Sequence, residues 1–84
     1  MEKFNYEIAD VGGLHARPAG LLVQCARGLV SRVTIICHGK QADAKRLFSV
    51  MGLGAKQGDT LTVTVEGVSE QRDAAQMQSF LKGL

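Results

Sequence analysis

His15 and Arg17 are the residues of this chain best suited to do chemistry together. They stand in Gly13-Leu14-His15-Ala16-Arg17-Pro18-Ala19-Gly20, where Pro18 fits the first turn of a helix because no intrahelical N–H is needed there. A helix start presents free backbone N–H groups and partial positive charge, and both favour an anion. The same field favours neutral, nucleophilic imidazole over imidazolium. A histidine so placed can accept a phosphoryl group. The amides of Ala16 and Arg17 and the Arg17 guanidinium would then hold the new charge through charge-assisted hydrogen bonds. Such transfer asks chiefly for alignment and for stabilisation of the equatorial phosphoryl oxygens. No neighbour of His15 in the sequence looks like a general acid. The expected site uses no metal ion and no cofactor.

The elements that must position this segment follow from the apolar pattern. Phe4, Tyr6 and Ile8 alternate with Asn5 and Glu7 as a half-buried first strand, which Gly12-Gly13 breaks. From Ala16 to Arg27 the residues Ala19, Leu22, Val23 and Ala26 recur at helical spacing, and Gly28 is expected to close the helix in a left-handed conformation. Residues 32–37 are β-branched and strand-like, His38-Gly39 is a tight turn, and 40–42 a short strand. A short helix is expected over 45–53. After the turn at Gly58-Asp59, residues 60–66 alternate cleanly, with Leu61, Val63 and Val65 facing a core. Ser69 is expected to cap a last helix whose stripe is Ala74, Met77, Phe80, Leu81 and Leu84. The order is β-α-β-β-α-β-α, and each strand has one apolar face. An α+β open-faced sandwich follows, with helices covering one side of the sheet.

Eighty-four residues with no linker, repeat or low-complexity stretch suit one domain, 1–84, of narrow stability margin. A hydrophobic share of 45% with 21% charged residues describes a globule rather than a disordered chain. The net charge of +2 is too small to argue for nucleic acid. The element order superficially resembles an RNA-recognition motif, but base stacking needs aromatics on the central strands, where Ile35, Ile36, Val63 and Val65 stand. The apolar run Leu21-Leu22-Val23 ends at Gln24, far short of a membrane span. Met1-Glu2-Lys3 ahead of a strand is no signal peptide, so the expected location is the cytoplasm. Cys25 and Cys37 lack metal-ligand spacing and are expected as buried, reduced thiols. His38 is expected as a turn residue without function, and Arg27, Arg32, Lys40 and Lys56 as solvated charges.

With these residues in view, the chain closely resembles the HPr family, the histidine-containing phosphocarriers of the bacterial phosphoenolpyruvate:sugar phosphotransferase system. The likeness covers essentially the whole length. It rests on the active-site motif Gly13–Ala19 and on a second match at Lys45, Leu47-Phe48, Val50, Leu53 and Gly54. The resemblance implies a four-stranded antiparallel sheet of order 1-4-2-3. It also implies a relay in which enzyme I phosphorylates His15 at Nδ1, Arg17 steadies the group, and an enzyme IIA domain receives it. Partner docking would use Gly20 and Gln24 on the first helix and Leu47, Phe48 and Met51 on the second, rimmed by Arg27 and Arg46. At least one of those three large apolar residues is expected to serve the core. A relay surface should be small and electrostatically steered, and a monomer keeps it open.

Arg46 departs from the family. It occupies the position of the usual regulatory serine, directly after Lys45, so phosphorylation there is not expected, and Ser49 one turn on is expected as a solvated residue. An alternative follows from the same substitution: a paralogous regulatory or protein-binding module serving one dedicated transporter or kinase. Gly20, where relatives more often carry alanine or another small residue, either loosens the helix at a cost of about 1 kcal/mol or permits close approach of a partner backbone.

Overall fold

The computed structural model describes residues 1–84. Its elements are β1 (Glu2–Glu7), α1 (Ala16–Arg27), β2 (Arg32–Cys37), β3 (Lys40–Asp43), α2 (Leu47–Met51), β4 (Thr60–Glu66) and α3 (Glu70–Lys82). The strands form one antiparallel sheet in the order β1-β4-β2-β3, as expected from the resemblance. β4 and β2 are the two inner strands, and both alternate buried and half-buried residues. Leu61, Val63 and Val65 are fully buried, and the register sets Val63 opposite Phe4 on one side and Ile35 on the other. The opposite face carries Thr34 paired with Thr64, and Asn5 paired with Thr62. A period of two sends those threonines to solvent, where hydroxyls cost nothing to expose. The result is an open-faced sandwich. No helix is long and apolar enough to cross a membrane.

The helices cover the apolar face. In α1 the stripe Ala19, Leu22, Val23 and Ala26 is buried as the spacing predicts, and in α3 Ala74, Met77 and Leu81 are. Truncating a fully buried leucine such as Leu22 to alanine costs about 2–5 kcal/mol, a large part of the margin of so small a fold. In α2, Val50 is the buried anchor, and Leu47 packs half-buried against the core.

Several local expectations need correction. Gly28 is not left-handed; it sits at φ −79°, ψ −7°. The Gly28 and Leu29 amides donate to the carbonyls of Cys25 and Ala26, tightening the last turn without a left-handed residue. The second helix is shorter than 45–53. Asp43 Oδ1 takes the Lys45 amide at 2.9 Å in a turn that delays its start, and left-handed Gly54 lies beyond its early end. Ser69 precedes α3 but makes no side-chain cap, because φ −113°, ψ 26° is not the extended conformation that aims a capping oxygen. Glu70 takes the Gly67 amide at 3.2 Å instead. Ile8 lies just beyond β1, though buried, and Leu84 lies beyond α3 and is exposed. Both cysteines are free; Cys37 is buried as expected, but Cys25 is only half-buried. Burial pushes both thiols up from the ordinary cysteine value, and the Asp59 carboxylate adds to this at Cys37.

Asp73 is a buried carboxylate that the apolar pattern did not anticipate. It is 1% exposed, and its Oδ2 accepts the Ser31 amide at 2.9 Å, joining α3 to the start of β2. Ser31 holds the Asp73 carboxyl below the usual aspartate range against the opposing effect of burial, with its side chain close by but its amide making the one hydrogen bond of good geometry.

Candidate functional site

The segment between β1 and α1 is folded on Asp10. Its carbonyl accepts the Gly13 amide at 2.9 Å, and its side-chain Oδ1 accepts the Gly12 amide at 2.8 Å. Gly13 then turns through φ 68°, and a Cβ there would stand 2.6 Å from the Ala55 carbonyl oxygen, so both conformation and space demand glycine. Leu14 is buried, and its amide donates to the same carbonyl at 2.9 Å. Gly13 and Leu14 are therefore pinned to the 55–56 backbone, and His15 follows on a fixed base.

His15 is the N-cap residue of α1, with extended backbone at φ −79°, ψ −173°, and its side chain is 48% exposed. The first turn of α1 holds no acidic residue to compete for its positive end. The first helical bond runs from the Ala19 amide to the His15 carbonyl, Pro18 has no N–H to offer, and the amides of Ala16 and Arg17 are left without a backbone acceptor. Arg17 is exposed on that turn. His15 Nε2 points to Asp10 Oδ1 at 3.5 Å. That is longer than a good hydrogen bond, and it sets the carboxylate on the Nε2 side of the ring. Gly12 makes room for the ring: a Cβ there would lie 2.6 Å from His15 Cδ2.

His15 and Arg17 also line a shallow depression with Leu21 and with Phe80, Gly83 and Leu84 at the end of α3. Sequence reasoning missed Asp10, Gly12 and Gly83 as site residues, and placed Phe80 and Leu84 in the core stripe rather than beside His15. Asp10-Val11-Gly12 did carry a signal, since aspartate two residues before glycine favours a side-chain-to-backbone turn. The approach of α3 had none in the local sequence.

The residues expected to dock partners are gathered by the fold. Gly20, Gln24, Arg27, Arg46, Leu47 and Phe48 line one groove between α1 and α2, whereas Met51 lies outside that lining at the edge of exposure. Phe48 is 85% exposed, which separates it from Val50, the residue that holds α2 to the core. Gly20 and Gln24 lie about 7.5 and about 13.5 Å along the α1 axis from His15. Arg27 is not a free rim cation, because its Nε donates to the Lys45 carbonyl at 2.9 Å. Lys45 Nζ in turn donates to the Leu29 carbonyl at 3.0 Å, so the two bonds fix the approach of α2 to α1. Arg46 is the N-cap residue of α2, with Asp43 Oδ2 3.8 Å from its Nε. Ser49 is exposed on the groove. His38 does not merely hang in solvent; its Nε2 lies 2.9 Å from Asp59 Oδ2.

An exposed histidine at a helix start, with two free amides ahead of it and an open-faced 1-4-2-3 sandwich beneath, defines a class of small α+β protein built to present one imidazole. Residues 2–83 match the family model described as PTS HPr component phosphorylation site. The chain is 38% identical over 78 residues to the phosphocarrier protein HPr of Buchnera aphidicola subsp. Baizongia pistaciae, covering 93% of this chain and 92% of that one. It is 36% identical over 78 residues, with the same coverage, to phosphocarrier protein HPr of Haemophilus influenzae. The solved structure of HPr-C-His from Thermoanaerobacter tengcongensis superposes with a TM-score of 0.91 at 32% identity, covering 98% of this chain and 92% of that one. The chain belongs to the HPr family of phosphocarrier proteins.

Proposed function

We propose that His15 accepts a phosphoryl group through Nδ1 from phosphorylated enzyme I and passes it to an enzyme IIA domain. The observation that carries this reading is the position of His15 at the α1 N-cap, beside the free amides of Ala16 and Arg17. The Nδ1 lone pair attacks phosphorus as the bond from phosphorus to the donor's histidine nitrogen breaks, and the donor ring keeps that electron pair. The His15 ring, still protonated on Nε2, becomes a phosphoimidazolium, and Asp10 at 3.5 Å balances its charge. The phosphoryl oxygens gain hydrogen bonds from the two amides and from the Arg17 guanidinium. Transfer onward reverses the step: the acceptor histidine takes the phosphoryl group, and His15 recovers its lone pair.

The groove beside α1 serves as the docking surface, with Phe48 the large apolar residue most open to a partner and Gly20 and Gln24 beneath it. The protein acts as a cytoplasmic monomer, without cofactor, metal at His15 or nucleic acid. Arg46 removes serine control from α2 and supports the second reading, service to one dedicated transporter or kinase. The test is incubation with enzyme I and labelled phosphoenolpyruvate. Acid-labile, alkali-stable label that disappears in His15→Ala supports the relay; a parent protein that takes no label from several enzyme I sources overturns it.

A further inference from the structure

The turn joining β2 to β3 brings together three side chains that the phosphoryl site does not use. Cys37 Sγ, a His38 ring nitrogen and an Asp59 carboxylate oxygen all lie within 4.8 Å of one another. Successive residues of a strand point to opposite faces, so Cys37 and His38 would ordinarily diverge. Here His38 sits at φ 52° and Gly39 at φ 77°, the two left-handed residues of a tight hairpin turn, and the chain reverses direction at His38. Asp59 arrives from the other side of the sheet end. Its Oδ2 accepts the Lys56 amide at 2.8 Å and faces His38 Nε2 at 2.9 Å.

We propose that Cys37, His38 and Asp59 form a binding site for a borderline-soft divalent cation of the zinc class. One sulfur, one imidazole nitrogen and one carboxylate oxygen are a ligand set such ions accept, with water completing four-coordination on the exposed side. Bond lengths to zinc set the sulfur–nitrogen edge of that tetrahedron at about 3.5 Å, and no two of the three atoms are more than 4.8 Å apart, so closing the site asks for little more than about 1 Å of movement. The His38 side chain is 63% exposed and can supply it by rotation. Cys37 is buried and stays in place. On binding, the thiol proton and any proton shared between His38 and Asp59 pass to solvent.

The site would join the β2–β3 turn to the 56–59 turn, and the second of these supports the phosphoryl loop. Ile8 exchanges backbone hydrogen bonds with Gly58 and Asp59, both at 2.9 Å, and Ala55 and Lys56 support Gly13. A cation held by Asp59 and the β2–β3 turn therefore stiffens the base on which His15 stands.

Cobalt(II) alone is the probe, titrated into the full-length protein under reducing conditions. A near-ultraviolet thiolate-to-cobalt band that saturates at one equivalent and is displaced by zinc supports the site. His38→Asn and Cys37→Ser must each lose the band. Asparagine followed by glycine is the ordinary pair for this turn, so His38→Asn keeps the hairpin folded and the result interpretable even if Cys37→Ser unfolds. Cys25→Ser and His15→Ala must keep it. Absence of the band in the folded parent, its survival in His38→Asn, or its loss in Cys25→Ser overturns the proposal.

Discussion

Gly12→Ala separates the placing of the histidine ring from the stability of the fold. The added carbon would stand 2.6 Å from His15 Cδ2 and 2.9 Å from Nε2. Carbon atoms rest at about 3.5–4.0 Å, so the ring must retreat by about 1 Å. The ring is the mobile end of a half-exposed side chain, and the retreat costs the fold little. Alanine at this exposed position, outside the left-handed region, also restricts the unfolded chain, which adds about 0.4–1 kcal/mol of stability. The relay pays more heavily, since a misplacement of about 1 Å at a reacting atom costs about a hundredfold in rate. The expected outcome is a melting temperature at or slightly above the parent's, with transfer from phosphorylated enzyme I slowed about a hundredfold in rapid-quench measurements. Gly13→Ala is the counterpart. Its left-handed backbone costs about 1–2 kcal/mol, and the approach to the Ala55 carbonyl at 2.6 Å adds to that, so it lowers the melting temperature. A folded Gly12→Ala protein that transfers at the parental rate would refute this account of how the ring is positioned.

Asp73→Ala leaves the buried Ser31 amide without its acceptor and should lower stability by about 1.5–3 kcal/mol at neutral pH in urea titrations. The Asp73 carboxyl is held below its unfolded value, so its contribution is complete above the ordinary aspartate range and is lost as pH falls through the folded value; the gap between parent and variant must close in acid and stay constant near pH 7. Phe48→Ala should change stability by less than about 0.5 kcal/mol, because the side chain is 85% exposed, while raising KM for phosphorylated enzyme I about tenfold. An unchanged KM would remove Phe48 from the docking surface. Incubation with an HPr kinase and ATP should leave α2 unlabelled, since Arg46 occupies the serine position; label mapped to Ser49 would contradict this.

Elements with strong periodicity were legible because one face of each meets the core. The α1 boundaries and the alternation of β4 follow directly from where Leu22, Val23, Leu61, Val63 and Val65 must go. Element ends were less legible. Gly28 and Ser69 are residue types that commonly form particular caps, yet both ends of the chain segment already had other partners: i−3 carbonyls at Gly28, and Glu70 with the Gly67 amide at Ser69. A propensity gives way when a neighbour satisfies the same backbone group more cheaply.

The sequence by itself singled out the proposed reactive pair, His15 and Arg17, and its local setting. Proline in the first turn and the apolar stripe of residues 19–26 mark a helix start behind His15, and the helix geometry then leaves the amides of Ala16 and Arg17 free. Only the tertiary structure decided what surrounds them. Asp10 faces His15 Nε2 because the 10–13 turn doubles back, and Gly13 is obligatory because the 55–56 backbone crosses it. Phe48 is separated from Val50 as exposed from buried because α2 is anchored by Arg27, Lys45 and the core together. Cys37, His38 and Asp59 meet because a left-handed turn and a distant loop share one end of the sheet. Contacts between residues far apart in the chain depend on the packing of the whole apolar face, and no local pattern encodes that packing.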